Sequence, residues 1–199
     1  MNNPFEVLIV RYCPLYRHKR IYNETMAWLE KNNIPLLIHD NTKKNIGLSA
    51  ARNLLLKKAT AGAVILMDFD IRFRNVDFES MAKKAMEDDV GAVMPAKRGK
   101  SIAKHTEWQT IDDPHCHCLV MERQLLLDMG GFDERYFVSY ADLDLLNRLK
   151  EKQLQLLQHN GSYIVYHFGL STDIKERNGV WIKDQESYRQ KWNSNHLLS

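Results

Sequence analysis

The stretch Ala63-Val-Ile-Leu-Met-Asp68-Phe-Asp70-Ile-Arg-Phe73 decides how the chain is read. Its apolar run follows Gly62 and ends in two carboxylates, the pattern of a strand buried on both faces in a sheet covered by helices. Open α/β sheets bind ligands in the crevice outside the carboxyl ends of their strands, which is where Asp68 and Asp70 fall. Two carboxylates one residue apart in a partly dry crevice repel each other, and this raises a pKa or recruits a cation. A hard divalent ion carrying a phosphate ligand is the economical answer. The plainer alternative is that one Asp caps the next turn while the other is solvated.

Working outward, Phe5 to Val10 reads as a first strand, Ile21 to Lys31 as a helix and Pro35 to His39 as a second strand running into Asp40-Asn41-Thr42. Leu48 to Ala59 has strong helical composition, with Gly62 just beyond it. Phe78 to Met86 is helical, and Val90 to Met94 is a strand stopped by Pro95. Ala96 to Pro114 is a basic, aperiodic loop, and His115 to Met121 resumes as a strand. A helix from Arg123 to Met129 closes on Gly130-Gly131. Ala141 to Lys152 is a helix opened by Ser139-Tyr-Ala-Asp142, which has the look of a capping box. Ile164 to Tyr166 is a short last strand ending in His167, and Trp181 to Trp192 is an amphipathic helix. Strands alternating with helices predict an α/β fold: one Rossmann-like domain over 1–199, with a mainly parallel sheet and helices on both faces.

Composition narrows the function classes. A hydrophobic fraction of 44% and a charged fraction of 27% are globular values. The net charge of +3 is too mild to announce a nucleic-acid binder. The basic residues are nevertheless clustered, at Arg17-His18-Lys19-Arg20 and at Lys97, Arg98, Lys100 and Lys104, so anionic ligands could be met at particular places. No apolar run is longer than a strand, which predicts no membrane span, and no leader-like segment opens the sequence. Three cysteines make no disulfide framework, and a cytoplasmic home is the simplest expectation.

The order Asp40-Asn41, Asn45-Ile-Gly47-Leu-Ser-Ala-Ala-Arg52-Asn53, Asp68-Phe-Asp70, Gly130-Gly-Phe-Asp-Glu134, Tyr140-Ala-Asp142-Leu-Asp144 and His167 resembles the inverting glycosyltransferases of the GT-A fold, family 2 in the usual sequence classification. The resemblance covers about Phe5 to His167, and Tyr188-Arg-Gln-Lys191-Trp192 is similar to how many members end. It implies a transfer of a sugar, hexosyltransferase-like, from a nucleotide-diphosphate sugar, a uridine one first, to an acceptor hydroxyl with inversion. Asp40 then contacts the nucleotide base. Arg52 pairs with phosphate or holds Asp40 and Asp68, and Asp68 also belongs to the donor site. Asp68, Asp70 and His167 place Mn2+ or Mg2+ on the diphosphate; imidazole suits Mn2+ better. Asp142 is the general base, and Asp144 supports the acceptor or the start of its helix. The donor-binding part is about 1–95 and the acceptor side about 96–199.

Two departures from the family stand out: Ala141 where an acidic residue is usual, and a short connection from Asp40 to Asn45, which implies a shallower donor pocket. Trp108 offers a sugar-stacking platform or ordinary loop packing. His115-Cys116-His117-Cys118 lacks Cys-x-x-Cys spacing and alternates faces in a strand, which argues against a zinc site. The acceptor, whether saccharide, protein or modified DNA, stays open, as does a homodimer. A non-catalytic nucleotide-sugar binder on the same fold is one alternative. A phosphohydrolase of the haloacid dehalogenase type, with Asp68 as nucleophile, is the other, although Arg72 stands where that family has Thr or Val.

Overall fold

The computed structural model describes residues 3–97, 107–112, 116–169 and 177–192. Its strands are β1 (Phe5–Arg11), β2 (Leu36–Asp40), β3 (Ala63–Met67), β4 (Ile71–Phe73), β5 (Val90–Lys97), β6 (Trp108–Thr110), β7 (Cys118–Glu122) and β8 (Gln155–His167). Its helices are α1 (Tyr16–Lys31), α2 (Leu48–Lys58), α3 (Phe78–Ala85), α4 (Arg123–Asp128), α5 (Ala141–Glu151) and α6 (Arg177–Trp192). One sheet runs in the order β2-β1-β3-β7-β5-β8-β4, with β6 paired to β8. β1 is parallel to β2 and β3, and β5 is parallel to β8, while β7 runs antiparallel between β3 and β5.

Strand alternation divides the interior in two. Val7, Ile9, Ile65 and Met67 point to the layer containing Tyr22 and Leu29 of α1 and Phe78 and Met81 of α3. Leu8, Val64 and Leu66 point the other way, to Leu55 and Leu56 of α2, Leu126 of α4, Leu145 and Leu149 of α5 and Tyr188 of α6. All five residues of β3 are buried, so the strand is covered on both sides as its apolar run predicts.

Several boundaries differ from the sequence reading for local physical reasons. β5 does not stop at Pro95 but continues to Lys97, because the proline, which has no N–H to give, sits at a register shift between Pro95 and Ala96. The short strand expected at Ile164 to Tyr166 is the last part of a 13-residue strand, β8, whose polar first half is concealed by pairing with β5 and β6. β4 was hidden in the charged segment after Asp70, and β6 lies within the stretch read as loop. α5 has no capping box: its N-cap is Tyr140, in the left-handed region at φ 64° and without a side-chain cap. No helix among the described residues is long and apolar enough to cross a membrane.

Leu66 is buried at the centre of β3 against the α2 and α5 layer. Replacing it with alanine is expected to cost about 2–5 kcal/mol, read as a lower denaturant midpoint at unchanged slope.

Candidate functional site

Antiparallel pairing assembles the site. Met67 of β3 stands opposite Cys118 of β7, so the next residue on one strand, Asp68, meets the preceding residue on the other, His117; the Asp68 amide donates to the His117 carbonyl at 2.9 Å. β4 turns back after Asp70 and pairs Ile71 with His167 of β8, while the Phe168 amide donates to the Asp70 carbonyl. Three strand ends thus converge. His117 Nδ1 lies 3.3 Å and His167 Nε2 3.9 Å from Asp68 Oδ2, and the two imidazoles stack with centroids 3.6 Å apart.

Ligand atoms of Asp68, His117 and His167 all fall within 4.8 Å of one another, close enough to share one ion. Asp70, expected as a ligand, stands beside this trio, its Oδ1 3.5 Å from His167 Nε2. It faces the same imidazole nitrogen that Asp68 does, so both carboxylates border the place an ion would take. Burial, reinforced by the neighbouring His117 ring, pushes the pKa of His167 below its ordinary value and keeps a lone pair available at neutral pH. Carboxylate and imidazole donors gathered in this way can hold a divalent ion. The spacing within His115–Cys118 argues against a zinc site in that run, but the pairing of β7 with β3 carries His117 to Asp68, where it joins a different candidate cluster. His115 lies outside the described residues.

Arg52 joins this cluster to α5. The turn before α2 is built by asparagines: Asn41 Nδ2 donates to the Gly47 carbonyl, and the Gly47 amide donates to Asn45 Oδ1. Gly47 itself has φ 90°, and a Cβ there would fall 2.9 Å from the Phe137 ring and carbonyl, so this close approach needs glycine. One turn into α2, the Arg52 guanidinium is buried; it donates to Asp142 Oδ1 and lies 3.5 Å from Asp68 Oδ1. Burial works against its charge, but Asp142 and Asp68 outweigh that and raise its pKa. The next residue, Asn53, bonds to Phe132 and Glu134 and so fixes the Gly130–Glu134 turn beneath Arg52.

Asp142 occupies the first turn of α5, where the helix dipole favours a carboxylate. Burial still pushes its pKa above the ordinary value, with Arg52 pulling it back. Ala141, beside it, is buried in the second core layer. Asp40 ends β2, and its carboxylate accepts from the Thr42 amide and pairs with Arg11 at 3.0 Å, an Asx turn at the sheet's carboxyl edge. Partial burial raises its pKa, but the Thr42 bonds and Arg11 carry it below the usual range. Of the second basic cluster, Lys97 reaches the site, with Nζ 3.0 Å from His117 Nε2; Arg98, Lys100 and Lys104 lie outside the described residues.

Two expected acceptor-side residues have other surroundings. The Trp108 ring packs on His159 at 4.7 Å, with the Lys84 ammonium over it, against the α1 and α3 layer. Asp144 is fully buried and bonded to Arg148, Lys191 and Trp192 Nε1, tying α5 to α6.

Residues 5–138 match the model of glycosyl transferase family 2. The chain belongs to that family. The phosphohydrolase alternative therefore falls. Among solved structures, this family-2 chain is similar to GalNAc-T7 with UDP, GalNAc and Mn2+ (11% identity, TM-score 0.62, 83% of this chain and 44% of that one). It is also similar to the mannosyltransferase PcManGT of Pyrobaculum calidifontis with GDP-Man and Mn2+ (18%, 0.62, 95% and 65%). A third similar structure is a D211N mutant of a Drosophila β-1,4-galactosyltransferase 7 with manganese, UDP-Gal and xylobiose (11%, 0.55, 88% and 79%). At these identities the likeness shows the GT-A fold, and the chain spans only 44% and 65% of the first two. A comparison with curated proteins finds no match.

Arg52→Met removes the cation between two carboxylates, and a loss of about 3–5 kcal/mol is expected at pH 7. Protonation neutralises the orphaned Asp142, so the deficit relative to wild type shrinks as pH falls from 7 towards 5; paired denaturant titrations at the two values check the sign.

Proposed function

We propose that this family-2 chain is a metal-dependent, inverting glycosyltransferase that uses a nucleotide-diphosphate sugar, most simply a UDP-sugar. The observation that carries the proposal is the convergence of Asp68, His117 and His167 at the end of β3, coupled through Arg52 to Asp142. In this reading the two imidazoles and Asp68 hold the ion, Mn2+ in preference to Mg2+. When bound, the ion supplies Lewis-acid stabilisation of the departing diphosphate. Asp40, at the end of β2, takes the nucleotide base, so the donor lies over the 1–95 part and the acceptor over the 96–199 part.

The chemistry of the chain's own residues follows. Asp142 accepts the proton of the acceptor hydroxyl as that oxygen forms its bond to the anomeric carbon from the face opposite the leaving group. The carbon–oxygen bond to the diphosphate breaks with its electron pair, releasing the nucleoside diphosphate and inverting the centre. The raised pKa of Asp142 makes it a better proton acceptor than a solvated carboxylate, and Arg52 fixes which of its oxygens is held. Asp70, whose carboxylate faces the same nitrogen of His167, adds a second acidic group beside the ion. The acceptor is a hydroxyl-bearing saccharide, protein or modified DNA, and a steep loss of acceptor binding with added salt identifies the last.

Calorimetric titration of UDP with Mn2+ tests the donor site. Asp68→Asn, His117→Ala and His167→Ala are each expected to abolish the metal-dependent part of binding, and Mn2+ is expected to support binding better than Mg2+. Asp142→Asn should keep that binding and lower turnover by about 10²–10⁴. Wild type that binds neither UDP nor GDP with either ion sinks the reading.

A further inference from the structure

We propose that α6 sets the position of the base-bearing start of α5, with Asp184 as the positioning residue. The inference rests on the reading of Asp142 as the base. The Asp184 carboxylate is only 2% exposed and accepts three consecutive backbone amides: Phe137 at 2.9 Å on Oδ1, and Val138 at 2.9 Å and Ser139 at 2.7 Å on Oδ2. These amides belong to the segment that leads directly into Tyr140 and Asp142. Successive amides closing on one anion form a nest, and bonds of this kind are the stronger, charge-assisted sort.

Neighbouring contacts make the hold specific to that segment. Gln185 Nε2 donates to the Tyr140 hydroxyl at 3.0 Å, and the Tyr140 ring lies 5.2 Å from Tyr188 and 6.1 Å from Trp181. Tyr140 has a left-handed backbone, a conformation a non-glycine residue keeps only when its surroundings determine it. From the opposite side, α2 engages the carbonyls of the same segment: the Leu48 amide donates to the Phe137 carbonyl and Ser49 Oγ to that of Tyr136. Helix α2 thus grips the segment by its carbonyls and Asp142 by Arg52, while α6 grips it by its N–H groups. A buried carboxylate is a poor means of fastening a helix to an apolar layer, where a leucine serves better. Its use here matches the need to fix backbone direction just before Asp142.

The test uses the full chain with Asp184→Ala, Asp184→Asn and, as a control, Tyr188→Phe, which loosens α6 by removing the 2.6 Å bond from Asn147 without touching the three amides. Hydrogen exchange, nucleotide release from UDP- and GDP-sugars with Mn2+, UDP binding with Mn2+ and melting temperature are read for each. Asp184→Ala is expected to speed exchange over 137–142 about tenfold with Ala63–Met67 unchanged. Turnover should drop about a hundredfold while metal-dependent UDP affinity stays at the wild-type value, since a misplaced base harms the chemical step alone. Asp184→Asn, with one acceptor oxygen left, should fall between wild type and Asp184→Ala.

Tyr188→Phe should lower the melting temperature yet turn over like wild type. The proposal is overturned if Asp184→Ala keeps wild-type turnover or wild-type exchange over 137–142, or if Tyr188→Phe loses as much turnover at an equal loss of melting temperature. Wild type that releases no nucleotide from any of these donors defeats the glycosyltransferase reading instead, and the exchange data alone then decide the role of Asp184.

Discussion

A single guanidinium is the constraint on which the structure depends. Arg52 is buried between Asp68 at the end of β3 and Asp142 at the start of α5, so the two carboxylates of greatest chemical interest share one cation. Without it the two carboxylates would face each other with no shared cation, and the helix and the strand would lose their common reference point. The surrounding motifs serve that placement: the Asn41–Gly47 turn fixes where α2 begins, and Asn53 ties the next residue of the helix to the glycine turn below.

The sheet's mixed direction matters as much as the ion pair. In an all-parallel sheet the carboxyl ends of neighbouring strands lie side by side. Here the entry into β7 lies beside the exit of β3, because the strands are antiparallel. That single reversal is what brings an imidazole to Asp68, and the β4–β8 pairing brings a second. The cluster that results combines imidazole nitrogens with carboxylate oxygens, where the sequence motif by itself offers a pair of carboxylates.

How much of this could be read from the sequence follows from the range of each signal. β3 was legible because burial on both faces leaves an unbroken apolar run, and α2 because its composition and the glycine beyond its end are local facts. Asp68, Arg52 and Asp142 were legible through the order of their motifs, and the structure brings those three together. His117 was not, since its neighbours in the sequence suggested only an alternating strand and its partner comes from a long-range register. Asp144 was expected to support either the acceptor or the start of its helix; it lies in the first turn of α5 and is bonded to Arg148 and Lys191, partners that no local pattern in the sequence announces. Pro95 misled because a register shift inside a strand leaves no local trace.

The reach of α6 back to the segment before α5 bears on how the protein matures as it is made. β1, β3 and the helices α1, α2 and α3 lie in the first part of the chain and can begin to collapse as they emerge. The amides of Phe137, Val138 and Ser139 cannot find their acceptor until residue 184 has been synthesised, and Asp144 meets its α6 partners only at Lys191 and Trp192. A nascent chain halted before α6 would therefore carry a formed sheet with the approach to Asp142 still unset, making the readiness of the site a late event of translation.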